Sequence, residues 1–228
     1  MNVQYIVTMW SQADVGQQYQ WAQQIRFDAS LQESDIEALI ALYEEVLKSS
    51  SAAQRVMEEA LITAMLRLCC PQCIPVFENV LFSNPPRGNS PLAEIVIALG
   101  DITSCTDADD GYDVLERCLE HPSVDVRDMA TTTLVRAYRQ NNRAVPYRVI
   151  EKLRILLEGD ETRRVRFSAG LALQELGEID VLDILFWSED MAGWEEDGRW
   201  LIEGPRMRDI RISPDQDRDI GEAGLHRG

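Results

Sequence analysis

Val126-Arg127-Asp128-Met129-Ala130-Thr131-Thr132-Thr133-Leu134 and Val165-Arg166-Phe167-Ser168-Ala169-Gly170-Leu171-Ala172-Leu173 are one phrase written twice, 39 residues apart. Each copy opens on Val-Arg and has alanine four residues on and leucine eight on. Steps of four place these residues on one face of a helix. Leu115 and Leu119 recur as Leu153 and Leu157 at an offset of 38. Ala98-Leu99-Gly100 returns as Glu175-Leu176-Gly177 at an offset of 77, two periods on. A period of this length holds two helices. One such pair cannot bury its own apolar stripe, so neighbouring pairs must stack.

The same three- and four-residue steps extend outward from the repeat. Ile36, Leu39, Ile40, Leu42, Tyr43, Val46 and Leu47 follow Ser34, which with Glu37 reads as an S-x-x-E capping box. Val56, Met57, Ala60, Leu61, Ala64, Met65 and Leu68 make a second stripe. Ile74 to Leu81 is a shorter helix ended by the loop SNPPRGNS, and Leu92 to Ile102 is another. Breaks at His121-Pro122, Pro146 and Gly159 separate the next three helices. Gly177 reads as a C-cap, and Val181 to Trp187 as a short last helix. No run alternates as a strand does.

The stretch from Ser123 to Phe186 resembles HEAT repeats, in particular the short HEAT-like repeats of bacterial proteins such as the phycobilin lyases. An acidic turn, Val-Arg, a small residue and an Ala-Leu-Gly-like helix end carry the likeness. It is good over residues 90–187, weaker over 34–83, and absent before 30 and after 188. Ala137-Tyr138 stands where the family often has Leu-Gly. The resemblance implies an all-α HEAT-like solenoid of antiparallel helix pairs, about four repeats. Residues 1–30 then form an N-terminal cap segment, 31–187 the solenoid, and 188–228 an acidic, partly irregular C-terminal tail. It further implies that the second helix of each pair lines a concave face, and that Arg127 and Arg166 bond groups of the adjacent repeat, with Asp125 a candidate partner. The resemblance is specific for fold and poor for function, because function lies in sites grafted onto a fold.

Charge narrows the function classes. The chain of 228 residues has a formal net charge of −17. Residues 1–125 carry net −13, residues 126–175 net +4, and residues 176–228 net −8. Such a balance repels nucleic acid and anionic membrane at long range. No apolar run reaches the roughly 20 residues that span a bilayer. No Lys or Arg precedes Arg26, so the basic start of a signal peptide is missing. The five cysteines are an odd count in that setting, which predicts reduced thiols and a cytoplasmic protein.

Three cysteines cluster in Cys69-Cys70-Pro71-Gln72-Cys73. Cys70-x-x-Cys73 with Cys118-Leu119-Glu120-His121 has the residue types of a Cys₃His zinc site. Stacked repeats place those half-sites at opposite ends of parallel helices, so the expectation is no metal. Pro71 accounts for the stretch more simply: it disfavours helix at Cys70 and suits the first turn of the next helix. Cys105 and Cys118 read as core positions. Asp107, Asp109, Asp110 and Asp113 suit a helix N-terminus. As a calcium loop they fail, since its twelfth position is Cys118 rather than a bidentate Glu. Phosphate-loop, dinucleotide, serine-hydrolase and zinc-protease motifs are all missing. No catalytic residues and no cofactor are therefore predicted.

Arg117, Arg148 and Lys152 lie on second helices, off the apolar stripe, where they can grip an acidic peptide or a phosphate. Tyr147 and Trp187 are candidate aromatic anchors. Together they predict a non-enzymatic scaffold that binds another protein, with a homodimer as one form of partner. Resemblance to the phycobilin lyases offers a tetrapyrrole lyase or chaperone subunit as the alternative. A HEAT-like DNA glycosylase fits less well, because those enzymes are basic. The acidic tail is a candidate competitor for the +4 middle segment.

Overall fold

The computed structural model describes residues 2–83 and 91–177, all within one compact unit, Met1–Leu182. The described residues are all-helical: ten α-helices joined by short 3₁₀ turns and loops, with no strand. They are α1 (Val3–Met9), α2 (Val15–Phe27), α3 (Ile36–Lys48), α4 (Gln54–Leu68) and α5 (Ile74–Leu81), then α6 (Leu92–Thr106), α7 (Asp109–Cys118), α8 (Val124–Gln140), α9 (Tyr147–Gly159) and α10 (Arg163–Glu175). None is long and apolar enough to cross a membrane. The expected helix from Val181 to Trp187 and the tail 188–228 lie outside the described residues.

Local chemistry sets the helix ends. The Asn2 side chain accepts the Tyr5 N–H at 3.0 Å and Asp14 accepts the Gln17 N–H at 2.8 Å, each satisfying a first-turn donor. Proline immediately precedes α6 (Pro91) and α9 (Pro146). The capping box expected at Ser34 and Glu37 is displaced. A 3₁₀ turn, Glu33–Asp35, comes before α3, and the Asp35 carboxylate reaches back to the Gln32 N–H at 2.9 Å. At Gly177 the chain takes φ +82°, a left-handed cap that glycine adopts without a side-chain clash.

CCPQC is a corner. Cys69 sits in the left-handed region at φ 49° and ends α4, Cys70 is extended, and Pro71 opens the 3₁₀ turn into α5. Cys70 and Cys73 are buried. The cysteine reading needs two corrections, however. Cys69 and Cys105 form a disulfide, so the five thiols are not all reduced. Cys105 is exposed rather than in the core. Both cysteines sit at the C-terminal ends of their helices, and packing of α4 on α6 brings their Cα atoms to 6.1 Å. A count of cysteines carries no information about that approach.

Helix contacts run in two series. α2 packs on α4, α4 on α6, α6 on α8, and α8 on α10. In the other series α1 packs on α3, and α5 on α7. Tyr43 of α3 meets Phe77 of α5 edge to face at 6.1 Å, an arrangement worth about 0.5–1.5 kcal/mol beyond burial. Helices consecutive in the chain, such as α6 with α7 and α9 with α10, join the series. The stripes read from the sequence supply the interior: Leu39, Leu42, Met57, Leu61, Leu99, Leu115, Leu134, Leu153 and Leu173 have no exposed surface. α6 meets α8 so closely that a Cβ on Gly100 would lie 1.9 Å from Thr133 Cγ2.

Candidate functional site

Every cation predicted to face a partner, where the structure describes it, is engaged by a carboxylate of a neighbouring helix. The Arg148 Nε donates to both Glu116 oxygens, at 2.9 and 3.1 Å. Lys152 lies one turn further along α9, with its Nζ 2.9 Å from Glu120 and 3.4 Å from Glu116. Arg117 points to the other flank of α7, where it pairs with Glu78 of α5 and lies 4.2 Å from the centre of the Phe82 ring. Arg148 and Lys152 thus share one cluster and Arg117 belongs to another. Tyr147, the first residue of α9, is 69% exposed. Trp187 lies outside the described residues.

Electrostatics follow these pairs. The Glu116 carboxylate bonded to Arg148 holds that guanidinium more firmly charged than usual. Burial pulls the Lys152 ammonium down, but Glu120 and Glu116 outweigh it and the net shift is upward. Glu116 is the shared element, with 11% of its side chain exposed against 63% for Arg148.

Above this cluster, α7, the end of α8 and the start of α9 enclose a groove of about 520 Å³. Tyr112 and Tyr138 lie side by side at its base, ring centres 4.5 Å apart. Both are nearly buried, and burial raises both phenols. The Tyr112 hydroxyl is used: it accepts from Asn141 Nδ2 at 2.8 Å and faces Asp107 at 3.2 Å. Asp109 and Asp113, one helical turn apart on α7, form one wall. The opposite wall is the loop from Arg143 to Pro146 with Arg148.

Arg143 closes one end of the groove. Its guanidinium reaches Asp109 at 2.6 Å and Asp107 at 2.7 Å and stands 4.9 Å from the centre of the Tyr112 ring. Those carboxylates raise its pKa, and Arg143 in turn holds the Asp107 carboxyl below the usual range. Of the TDADDGYD acids, Asp107 and Asp109 hold Arg143, and Asp109 and Asp110 stand in the first turn of α7. Asp107 itself ends α6 in the left-handed region at φ 55°.

Arg127 joins the turn before α8 to the turn before α10, whereas the Arg166 bond is to the turn before its own helix. Arg127 grips Asp160 with two bonds, 2.7 and 3.1 Å, and donates to the His121 and Pro122 carbonyls. Arg166 donates to the Asp160 carbonyl at 2.7 Å. Asp125, the candidate partner from sequence, pairs with Arg164 instead. One-residue differences in register decide this, since Arg164 also reaches Asp128 at 2.9 Å.

The cysteine and histidine candidates hold the interior together. Burial pushes the Cys73 and Cys118 thiols up to about 12, so both stay protonated at neutral pH. His121 is buried with both ring nitrogens engaged: Nε2 bonds the Leu81 carbonyl at 2.8 Å and Nδ1 accepts from the Ser123 N–H at 3.0 Å. Among the described residues no three His, Cys, Asp or Glu side chains are grouped to hold a metal ion.

Tyr112, Glu116, Tyr138 and Arg143 carry no site signal in the sequence, and Asp113 reads there only as one of the acids at a helix start; Tyr112, Asp113, Tyr138 and Arg143 line the groove, and Glu116 holds Arg148 beside it. One signal was available. Glu116 and Glu120 are spaced by four, as are Arg148 and Lys152, and the two pairs lie 32 residues apart, short of the 38–39-residue period. Complementary pairs at i,i+4 on two helices are the pattern of side chains that meet across a helix junction. No family model, curated protein or solved structure matches the chain.

Proposed function

We propose that the protein is a non-enzymatic scaffold with the architecture of a HEAT-like α-solenoid, and that it binds another protein through the row of second helices. The solenoid reading is supported by the unbroken series of contacts from α2 through α4, α6 and α8 to α10, and by the packing of α1 on α3 and α5 on α7. It is supported equally by the ion pairs that join residues 32 to 39 apart, close to one repeat period. The observation that carries the binding reading is the open groove between α7 and α9, with Tyr147 exposed at the start of α9. Ion pairs on both flanks of α7 hold its walls in place before any partner arrives. A preorganised surface of this kind loses little freedom on binding.

The protein purified gently from its own host and examined by native mass spectrometry tests the proposal. A second protein at fixed stoichiometry, crosslinking to α7 or α9, is the expected result. A bare monomer at all concentrations overturns it. A bound small molecule with visible absorbance overturns it in favour of a tetrapyrrole-handling protein.

A further inference from the structure

Charge in and around the groove is unequally satisfied. Arg143 is held by Asp107 and Asp109, Arg148 by Glu116, and Lys152 by Glu116 and Glu120. Asp113 lines the groove, is exposed, and has no ion pair or hydrogen bond among the described residues. Beside it, Tyr138 is 5% exposed, and its hydroxyl has no hydrogen bond among the described residues. The hydroxyl of a nearly buried tyrosine that lines a groove, with no bond of its own, is open to a partner that enters there. The first turn of α7 adds Asp110, also exposed and without an ion pair.

Arg143 shows what these groups accept. It already does at one end of the groove what an incoming cation would do at the other: a guanidinium beside a tyrosine ring and between two α7-side carboxylates. The second tyrosine and the next carboxylate along the helix repeat that setting with only Arg148 nearby among the described residues, and that guanidinium is already bonded to Glu116. An anion fares worse. To reach Arg148 or Arg143 it must displace Glu116 or the Asp107–Asp109 pair, and it must approach Asp113 as a like charge.

We propose that the groove receives a lysine or arginine side chain from a basic segment of the partner protein, with Asp113 as the counter-ion and the Tyr138 hydroxyl as hydrogen-bond acceptor. This rests on the protein-binding reading above and reverses the polarity expected from Arg117, Arg148 and Lys152. The net charge of −17 steers such a segment toward the protein at long range. The groove then fixes where it docks.

The test is calorimetric titration of the full chain with three probes: a ten-residue Lys/Arg-rich peptide, the same peptide with glutamate in place of each cation, and spermidine. Asp113→Asn is expected to weaken the basic peptide by about 5- to 10-fold, between an exposed ion pair and a buried charge-assisted hydrogen bond. Tyr138→Phe, which keeps the ring, is expected to weaken it by about 2- to 10-fold. Glu37→Gln on α3 removes the same unit of charge far from the groove and is expected to leave the affinity within about 2-fold at physiological salt. Equal losses from Glu37→Gln and Asp113→Asn mean attraction by net charge alone and overturn the inference. Failure of the basic peptide to bind, or tighter binding of the glutamate peptide, overturns it too. Spermidine binding as tightly as the peptide replaces the protein segment with a small polyamine. None of these outcomes touches the scaffold reading, which is judged by the co-purified protein.

Discussion

The junction of α8 with α10 and the junction of α7 with α9 use the same materials differently. In the first, Arg127 and Asp160 are 11% and 4% exposed, and further donors and carbonyls surround them. In the second, Arg148 is 63% exposed while its partner Glu116 is nearly covered. Both are arginine–carboxylate pairs joining residues 32 or 33 apart. Burial makes one a structural clasp. Exposure leaves the other as the edge of a groove, able to exchange partners with little loss of fold. Ion-pair geometry alone therefore does not separate a staple from a binding surface, and the surrounding solvent does.

Breaking the clasp is the largest expected effect. Arg127→Ala leaves Asp160 buried without its counter-ion, and should lower unfolding free energy by about 3–5 kcal/mol. Urea denaturation of the variant against the parent measures it. A loss under about 1 kcal/mol would mean that the junction behaves as surface.

Reduction of the Cys69–Cys105 bridge comes next. The bond separates residues 36 apart and ties α4 to α6. A closed loop of that size contributes about 2–4 kcal/mol in the chain-entropy account. The Cys69→Ser variant should therefore melt lower than the oxidised parent and match the parent in excess dithiol. Mass spectrometry of alkylated, unreduced protein reads the bridge directly, with three free thiols expected at Cys70, Cys73 and Cys118.

Acid titration sharpens the contrast further. Burial raises the Asp160 carboxyl, but the bond from Arg127 and the Thr162 N–H outweigh it, leaving its pKa below the ordinary value. A depressed carboxylate contributes stability that is complete above its unfolded pKa of about 3.9 and is lost as pH falls through the lower folded value. Asp160→Asn should thus be less stable than the parent at neutral pH and lose less on going below about pH 4. Parallel acid limbs for the two proteins would remove Asp160 as the cause.

The smallest effect belongs to the groove. Arg148→Ala should cost far less stability than Arg127→Ala, because the Arg148 guanidinium is exposed and screened by solvent. Binding of a basic peptide should hold or tighten, since the change removes a cation beside Asp113. A loss of stability like that of Arg127→Ala would erase the distinction between the two junctions.

The apolar periodicity read along the chain is the periodicity of the interior. Leu115, Leu119, Leu153 and Leu157 are buried as their spacing requires, and Pro71 turns the chain where its ring demands. Those features depend on neighbours three or four residues away, or on one residue's own backbone. The groove was less legible. Arg117, Arg148 and Lys152 were found as surface cations, but not the acids that neutralise them. Tyr138 was hidden because it stands where the repeat pattern has a packing residue. Its hydroxyl gains meaning only once Asp113 lies beside the same groove.

By itself, then, the sequence determined an all-helical chain, its breaks and its buried stripes, since these follow from local backbone preference and from the need to hide apolar faces. Tertiary structure alone decided that Arg127 meets Asp160 rather than Asp125, that Cys69 reaches Cys105, and that Asp113 makes no close ion pair or hydrogen bond among the described residues. These outcomes turn on ångström-scale register between helices a full repeat apart, and charges and thiols bond only at contact distance.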